Sequence, residues 1–271
     1  MKKKQICIFL ISLFIFSSCS SLSLPGSKEP TDQEMNAEAE KAYADVKSKS
    51  KLSTNREWNE VVQRVVKRIA AASNENFKWE AVLIESPEVN AWCMPGGKIA
   101  VYTGIMPVLK TEAALAAVLG HEVAHATLRH GKQRYARAMN ENIIGMVVGG
   151  AVLAGGQFLC KTETCKRLSA LGGVATGFAI TFFDRKFSRG DESAADKEGQ
   201  LFMARAGYDP SEAPKLWDRM SASHNGKAPP EFMSTHPSDE NRKTDLNLWM
   251  PEANAAYSKA PRKFGIGSII N

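Results

Sequence analysis

The 271-residue sequence has no CxxC pair, no internal repeat, no low-complexity tract and no N-terminal apolar run of the ~20 residues that a spanning helix needs. Without CxxC spacing, thiolate zinc modules and dithiol redox sites are excluded. Aromatic residues are scarce at 8%, and five cysteines in a chain this long do not make a disulfide scaffold. Charge of one sign is also in short supply. The formal +6 includes Lys2, Lys3 and Lys4, and without them 32 basic residues face 29 acidic ones. Nucleic-acid binding argued from net charge therefore loses its support, and no nucleic-acid partner is expected. What remains is ordinary globular composition, 44% apolar and 24% charged, which excludes disorder.

The N-terminus reads as an address. Lys2 to Lys4 form a positive segment ahead of an eleven-residue apolar run, Ile6 to Phe16, short for a membrane span and suited to a signal peptide. The run closes on Phe16-Ser17-Ser18-Cys19, which resembles a bacterial lipobox with Phe16 in the usual leucine position. That resemblance implies removal of 1–18 and lipid on Cys19; the rival reading is a plain cleaved signal with a coincidental cysteine. Ser20, rather than Asp, after Cys19 is similar to outer-membrane lipoproteins, so the expected location is the outer membrane, facing the periplasm. Residues 20–30 are polar and carry Pro and Gly, as a tether should. In an oxidising periplasm Cys160 and Cys165 are candidates for a short disulfide loop, which leaves Cys93 as an odd buried thiol.

Thr31-Asp32-Gln33-Glu34 and Thr54-Asn55-Arg56-Glu57 both fit the capping box and predict two helix starts. The first helix is polar and expected to pack loosely; the second carries Trp58, Val61, Val62, Val65, Val66 and Ile69 on one face. Trp79 to Ile84 reads as a strand, and Asn90 to Met94 with Lys98 to Tyr102 as a hairpin around Pro95-Gly96-Gly97. An Ala- and Leu-rich helix follows from Thr111 to His130, with Gly131 expected to end it. Two glycine-bearing hydrophobic stretches, 143–159 and 168–183, read as a helical hairpin packed on the domain or resting on a membrane surface rather than spanning it. A helix is expected from Phe187 to Ala206. The fold class is α+β, predominantly helical.

The chemistry lies inside the Ala-rich helix. His121-Glu122-Val123-Ala124-His125 places two imidazoles one turn apart, able to share one zinc ion, with Glu122 beside them to take a proton from water. A catalytic zinc needs a third protein ligand. Glu192 is the candidate, and Asp196, one turn further on the same face, would fix the tautomer of a ligating histidine. Asp191 is the rival ligand by adjacency, but it points about 100° away and has no acidic partner one turn on.

These blocks, together with Ser188-Arg189, Ser234-Thr235-His236-Pro237-Ser238, Arg242, Asn90-Ala91 and Pro95 to Gly104, resemble the M48 family of zinc metallopeptidases, in particular its bacterial periplasmic lipoprotein members. The resemblance runs from about Asn55 to Met250 and implies a zincin-like fold. It implies one Zn2+ per chain on His121, His125 and Glu192, with Glu122 as general base and Asp196 behind a ligand. His236 and Arg242 are then candidates for stabilising the oxyanion; His236 is alternatively a fourth ligand that blocks the site at rest. His130 and His224 are read as a helix C-terminal cation and a loop residue. A strand such as Lys98 to Tyr102, beside the zinc helix, is the expected partner of an extended substrate.

The implied organisation is a signal at 1–18, a tether and helix at 19–54, a peptidase domain at 55–255 and a tail at 256–271. The implied function is hydrolysis of misfolded or mislocalised envelope proteins, with polypeptides, the membrane and envelope assembly or quality-control factors as partners. A second reading is a chaperone-like assembly factor for outer-membrane proteins in which peptidase activity is secondary.

Overall fold

A computed structural model describes residues 29–138, 178, 182–183, 186–223, 231–236 and 241–271. Cys19, Cys160, Cys165, His224 and nearly all of the 143–183 hairpin lie outside them. Among the described residues, no helix is long and apolar enough to cross a membrane.

The first helix, α1 (Asp32–Lys49), starts as predicted: Thr31 accepts from the amide of Glu34, whose side chain accepts in return from Thr31. It does not pack loosely. Met35, Ala39, Ala42, Tyr43 and Val46 are all buried, because apolar residues every three to four positions, two of them alanines, cover the sheet despite the helix's low overall hydrophobicity. Tyr43 donates from Oη to the carbonyl of Ile99 at 3.0 Å. In α2 (Arg56–Ser73) the cap falls one residue later than the sequence pattern suggests, with Asn55 accepting from Trp58 N.

The sheet contains β1 (Glu80–Ile84), β2 (Ala91–Met94) and β3 (Lys98–Tyr102) in the order β1-β3-β2. The hairpin β2–β3 is antiparallel with Ala91 opposite Val101, and Gly96 and Gly97 take the positive φ of its turn. β1 runs parallel to β3, with Glu80 opposite Lys98. Both edges of β3 are thus occupied, which corrects its expected role as the substrate-pairing strand; β1 and β2 are the edge strands, and residues 51–53 cover part of the outer side of β1. Ala91, Cys93, Ile99 and Val101 point into the main core, while Trp92, Met94, Ala100 and Tyr102 face the α1 side. Burial on both faces explains why these strands show no polar alternation.

After the short α3 (Met106–Leu109), α4 (Glu112–Thr127) runs through the middle of the molecule, and every residue from Glu112 to Ala126 is buried. It is apolar almost all round, the composition of a helix enclosed on every side. α4 ends earlier than expected, and Gly131 does not terminate it. Arg129 takes the left-handed turn instead, at φ +62°, with Nε 2.9 Å from Asp32 and Nη1 2.7 Å from Glu75. These ion pairs hold a non-glycine residue where glycine is usual. The chain then re-enters a helix, α5 (130–138), whose first residue, His130, lies against His125 of α4.

α6 (Arg189–Arg205) begins on a second capping box, Ser188 with Asp191. It is followed by α7 (Glu212–Ser223), α8 (Glu231–Thr235), α9 (Arg242–Leu248) and α10 (Met250–Lys259). α6 lies directly on α4 where Gly120 meets Gly199. A Cβ on Gly199 would stand 2.6 Å from the amide nitrogen of His121, and one on Gly120 would stand 2.5 Å from the carbonyl oxygen of Gly199. Only glycine at both positions lets the two backbones touch.

The expected tail at 256–271 is a strap. Its backbone bonds Gly207, Glu112 and Lys110 through Phe264, Ser268 and Ile270. Beneath it Glu112 is clasped by Arg64, Arg68, Tyr208 and Ser268. Burial alone would raise the Glu112 carboxyl, but bonds from Arg64, Tyr208 and Ser268 outweigh it and hold the pKa at about 2.

Candidate metal centre

His121 and His125 project from the same side of α4 with Nε2 atoms 3.0 Å apart. Glu192, in the first turn of α6, meets both: Oε2 is 3.4 Å from His121 Nε2 and Oε1 is 3.4 Å from His125 Nε2. His236, which follows α8, brings Nδ1 to 3.2 Å from His121 Nε2 and 3.1 Å from Glu192 Oε1. The four groups are buried and their donor atoms lie within 4.8 Å of one another. Zinc bonds of about 2.0–2.1 Å in a tetrahedron require donors about 3.3 Å apart. The separations of 3.0 to 3.4 Å among His121, His125 and Glu192 therefore suit a single zinc ion, and nitrogen and carboxylate donors are the chemistry it takes.

The surroundings show how the cluster is oriented. Asp196 accepts from His121 Nδ1 at 2.8 Å, which leaves Nε2 as the ligating nitrogen, the arrangement expected from the one-turn spacing of Glu192 and Asp196. Burial works against a charged His121, yet the carboxylates of Asp196 and Glu192 outweigh it and raise its pKa to about 9. For His125 burial wins and its pKa falls well below the usual value. Burial also opposes the charged form of Glu192, but the charge of His236 and hydrogen bonds from His121, His125 and His236 hold it as a carboxylate far below the ordinary range.

Glu122 is raised above the ordinary carboxylate range, chiefly by burial. It accepts a backbone bond from Cys93 on β2, which ties this edge strand to the site. Its Oε1 has no hydrogen-bond partner among the described residues and lies 3.4 Å from His236 Nε2. An orphaned buried oxygen beside the fourth corner is where a proton acceptor for water belongs. A small cleft lined by Ala91, Trp92, Thr235, His236 and Phe187 opens onto it.

Arg242 differs from expectation. Its guanidinium grips Asp196 through Nη2 at 2.7 Å and Nε at 2.6 Å, reaches Glu192 at 3.1 Å, and rests 3.6 Å from the Trp217 ring centroid. It stands against the carboxylates of Glu192 and Asp196 and does not line the cleft, because two buried carboxylates one turn apart need a cation there. His130 also departs from its reading as a helix C-terminal cation: it is buried, with Nδ1 2.9 Å from His125 Nδ1. Burial moves its pKa downward. Phe187 stacks on His125, with ring centroids 3.9 Å apart. Asp191, the rival ligand, is used in the Ser188 capping box and an ion pair with Arg137. Cys93 is free and buried, and burial raises its thiol pKa well above normal, which makes it unreactive.

Sequence reasoning missed His130, Gly199 and Phe187. A histidine five residues after His125 was the one usable signal for His130; nothing local marks the glycine that touches His121.

A helix-borne His-Glu-His pair closed by a glutamate from a second helix, beside a small sheet, defines an HExxH-type zincin site. Residues 53–250 match the model for peptidase family M48, and the chain belongs to that family. It is 37% identical over 195 residues to mitochondrial metalloendopeptidase OMA1 of Schizosaccharomyces pombe, covering 71% of this chain and 53% of that protein. Identity to human metalloendopeptidase OMA1, mitochondrial, is 30% over 180 residues, covering 65% and 33%. To the putative beta-barrel assembly-enhancing protease of Vibrio cholerae it is 29% over 189 residues, covering 69% and 38%. The chain spans about half the length, or less, of these relatives.

Proposed function

We propose that this protein is a zinc-dependent endopeptidase that cleaves polypeptides of the bacterial envelope, misfolded or mislocalised chains among them. The observation that carries this reading is the buried cluster of His121, His125, Glu192 and His236, with the Glu122 oxygen that lacks a hydrogen-bond partner among the described residues beside His236. Zinc in such a site supplies Lewis acidity, polarising a carbonyl and bringing the pKa of a water toward ~7. Glu122 takes the proton of the attacking water and hands it to the leaving amine. Its raised pKa suits both halves of that task. Arg242 and Asp196 hold the ligands in place, and an extended peptide pairs with the edge strand β2, which reaches Glu122 through Cys93.

In the geometry described, His236 is the fourth donor of the cluster and would hold the fourth position of a bound zinc. Turnover requires its ring to leave that position, after which its Nε2 can serve the oxyanion, so the resting and stabilising roles belong to two positions of one side chain. The membrane tether rests on Lys2 to Cys19, and a diacylglyceryl group on Cys19 is expected in mass spectra of protein extracted from membranes. The envelope substrate class draws on that address and on the name of the Vibrio cholerae relative. An unfolded polypeptide incubated with the purified protein should be cut internally, cutting should stop on chelation, and stoichiometric zinc should restore it. Cleavage that persists in the chelated protein would refute the assignment. An assembly-factor role without peptidase action would instead leave client binding intact and show no cleavage.

A further inference from the structure

His130 is a buried histidine that the proposed reaction does not use, and its place is set by two unusual features. It follows the left-handed turn at Arg129, and its Nδ1 comes to 2.9 Å from Nδ1 of His125. Two ring nitrogens that close share one proton: one donates and the other accepts. His125 turns Nε2 toward His121 and Glu192, so Nε2 carries the lone pair for a metal and Nδ1 carries the proton. His130 Nδ1 is then the acceptor, and its proton sits on Nε2. That Nε2 faces Asp191 Oδ1 at 3.9 Å, close enough for the carboxylate to orient it although too far for a direct bond. Asp191 is itself fixed by Ser188 at the start of α6 and by Arg137.

We propose that His130 is a positioning residue for the metal ligand His125, accepting the His125 Nδ1 proton and being oriented in turn by Asp191. The inference rests on the metal-centre reading above. The two ligand histidines then have different backing. His121 leans on the carboxylate of Asp196, which makes its imidazole a stronger donor; His125 leans on a neutral imidazole, which fixes its tautomer and ring plane with less added basicity. The second helix turn of the site and the first turn of α6 are linked through this pair, so Asp191, one residue before Glu192, serves the ligand on the opposite helix.

The test measures zinc affinity by competition with a chelating dye, without any turnover. His130→Phe keeps a ring against Phe187 but removes the acceptor, and zinc affinity should fall about 10- to 100-fold, the usual cost of losing a partner of a ligating histidine. His130→Gln, which restores an acceptor oxygen, should recover most of that loss. Thermal stability of the metal-free forms should differ little between the two variants. Wild-type affinity in His130→Phe, or a drop matched equally by His130→Gln, would reduce the residue to packing and overturn the proposal. Nitrogen NMR of the zinc-loaded wild type needs no variant: it should show His125 protonated on Nδ1 and His130 unprotonated there, and the reverse pattern refutes the idea. A protein that takes up no zinc at all would sink the metal-centre reading itself, an outcome distinct from zinc uptake indifferent to His130.

Discussion

Replacing Glu122 with Gln is expected to lower kcat for peptide cleavage about a thousandfold while zinc content and fold stay as in the wild type. The amide has the size of the carboxylate and can still accept from the backbone of Cys93, so neither packing nor the edge strand is disturbed. What disappears is the group that takes a proton. General-base contributions span about 10²- to 10⁴-fold, and three decades correspond to about 4 kcal/mol of barrier. KM should change little, because Glu122 meets the water rather than the body of the substrate. Metal analysis beside steady-state kinetics gives the answer, and a variant that retains a tenth of the activity would remove Glu122 from the role of base.

The second large effect concerns metal retention. In Glu192→Ala the carboxylate that meets His121, His125 and His236 is gone, along with one of the two carboxylate partners of Arg242. Zinc affinity should fall by more than the ~100-fold that bounds loss of an indirect partner. The protein should also lose stability, since breaking a buried charge cluster on one side commonly costs about 3–5 kcal/mol. Equilibrium dialysis and thermal denaturation with and without zinc separate the two consequences. Glu192→Asp keeps the charge but draws the oxygens back by one methylene, and should fall between wild type and alanine. Undiminished zinc in Glu192→Ala would disqualify it as a ligand.

The ligands were legible because helical spacing is local. His121 with His125, and Glu192 with Asp196, each lie one turn apart, so a 3.6-residue period is enough to put each pair on one face. The hairpin was equally plain from Pro95-Gly96-Gly97. Arg242 was harder: sequence places it near the site but not on which side of the carboxylates, since that depends on how α9 lies against α6 and α7. The end of α4 was misread because Gly131 looks like the helix stop, while the actual stop, Arg129, depends on Asp32 and Glu75, which are distant in sequence. The loose packing expected of α1 failed for a related reason: alanines at the contact face score as weakly hydrophobic yet allow a close fit. The parallel pairing of β1 with β3, which leaves β1 and β2 as the edges, is a long-range choice that no single segment encodes.

The contact between Gly120 and Gly199 has a thermodynamic consequence. Because the two backbones touch one residue from His121, the gap between the helix that carries both histidines and the helix that carries the glutamate is fixed by main-chain contact, independently of any ion. Most of the entropy of bringing the ligands together is then spent when the chain folds, and little is left to spend when a metal arrives. Such a centre should behave as a preformed socket rather than as a staple: emptying it changes what the protein can do far more than whether it stays folded.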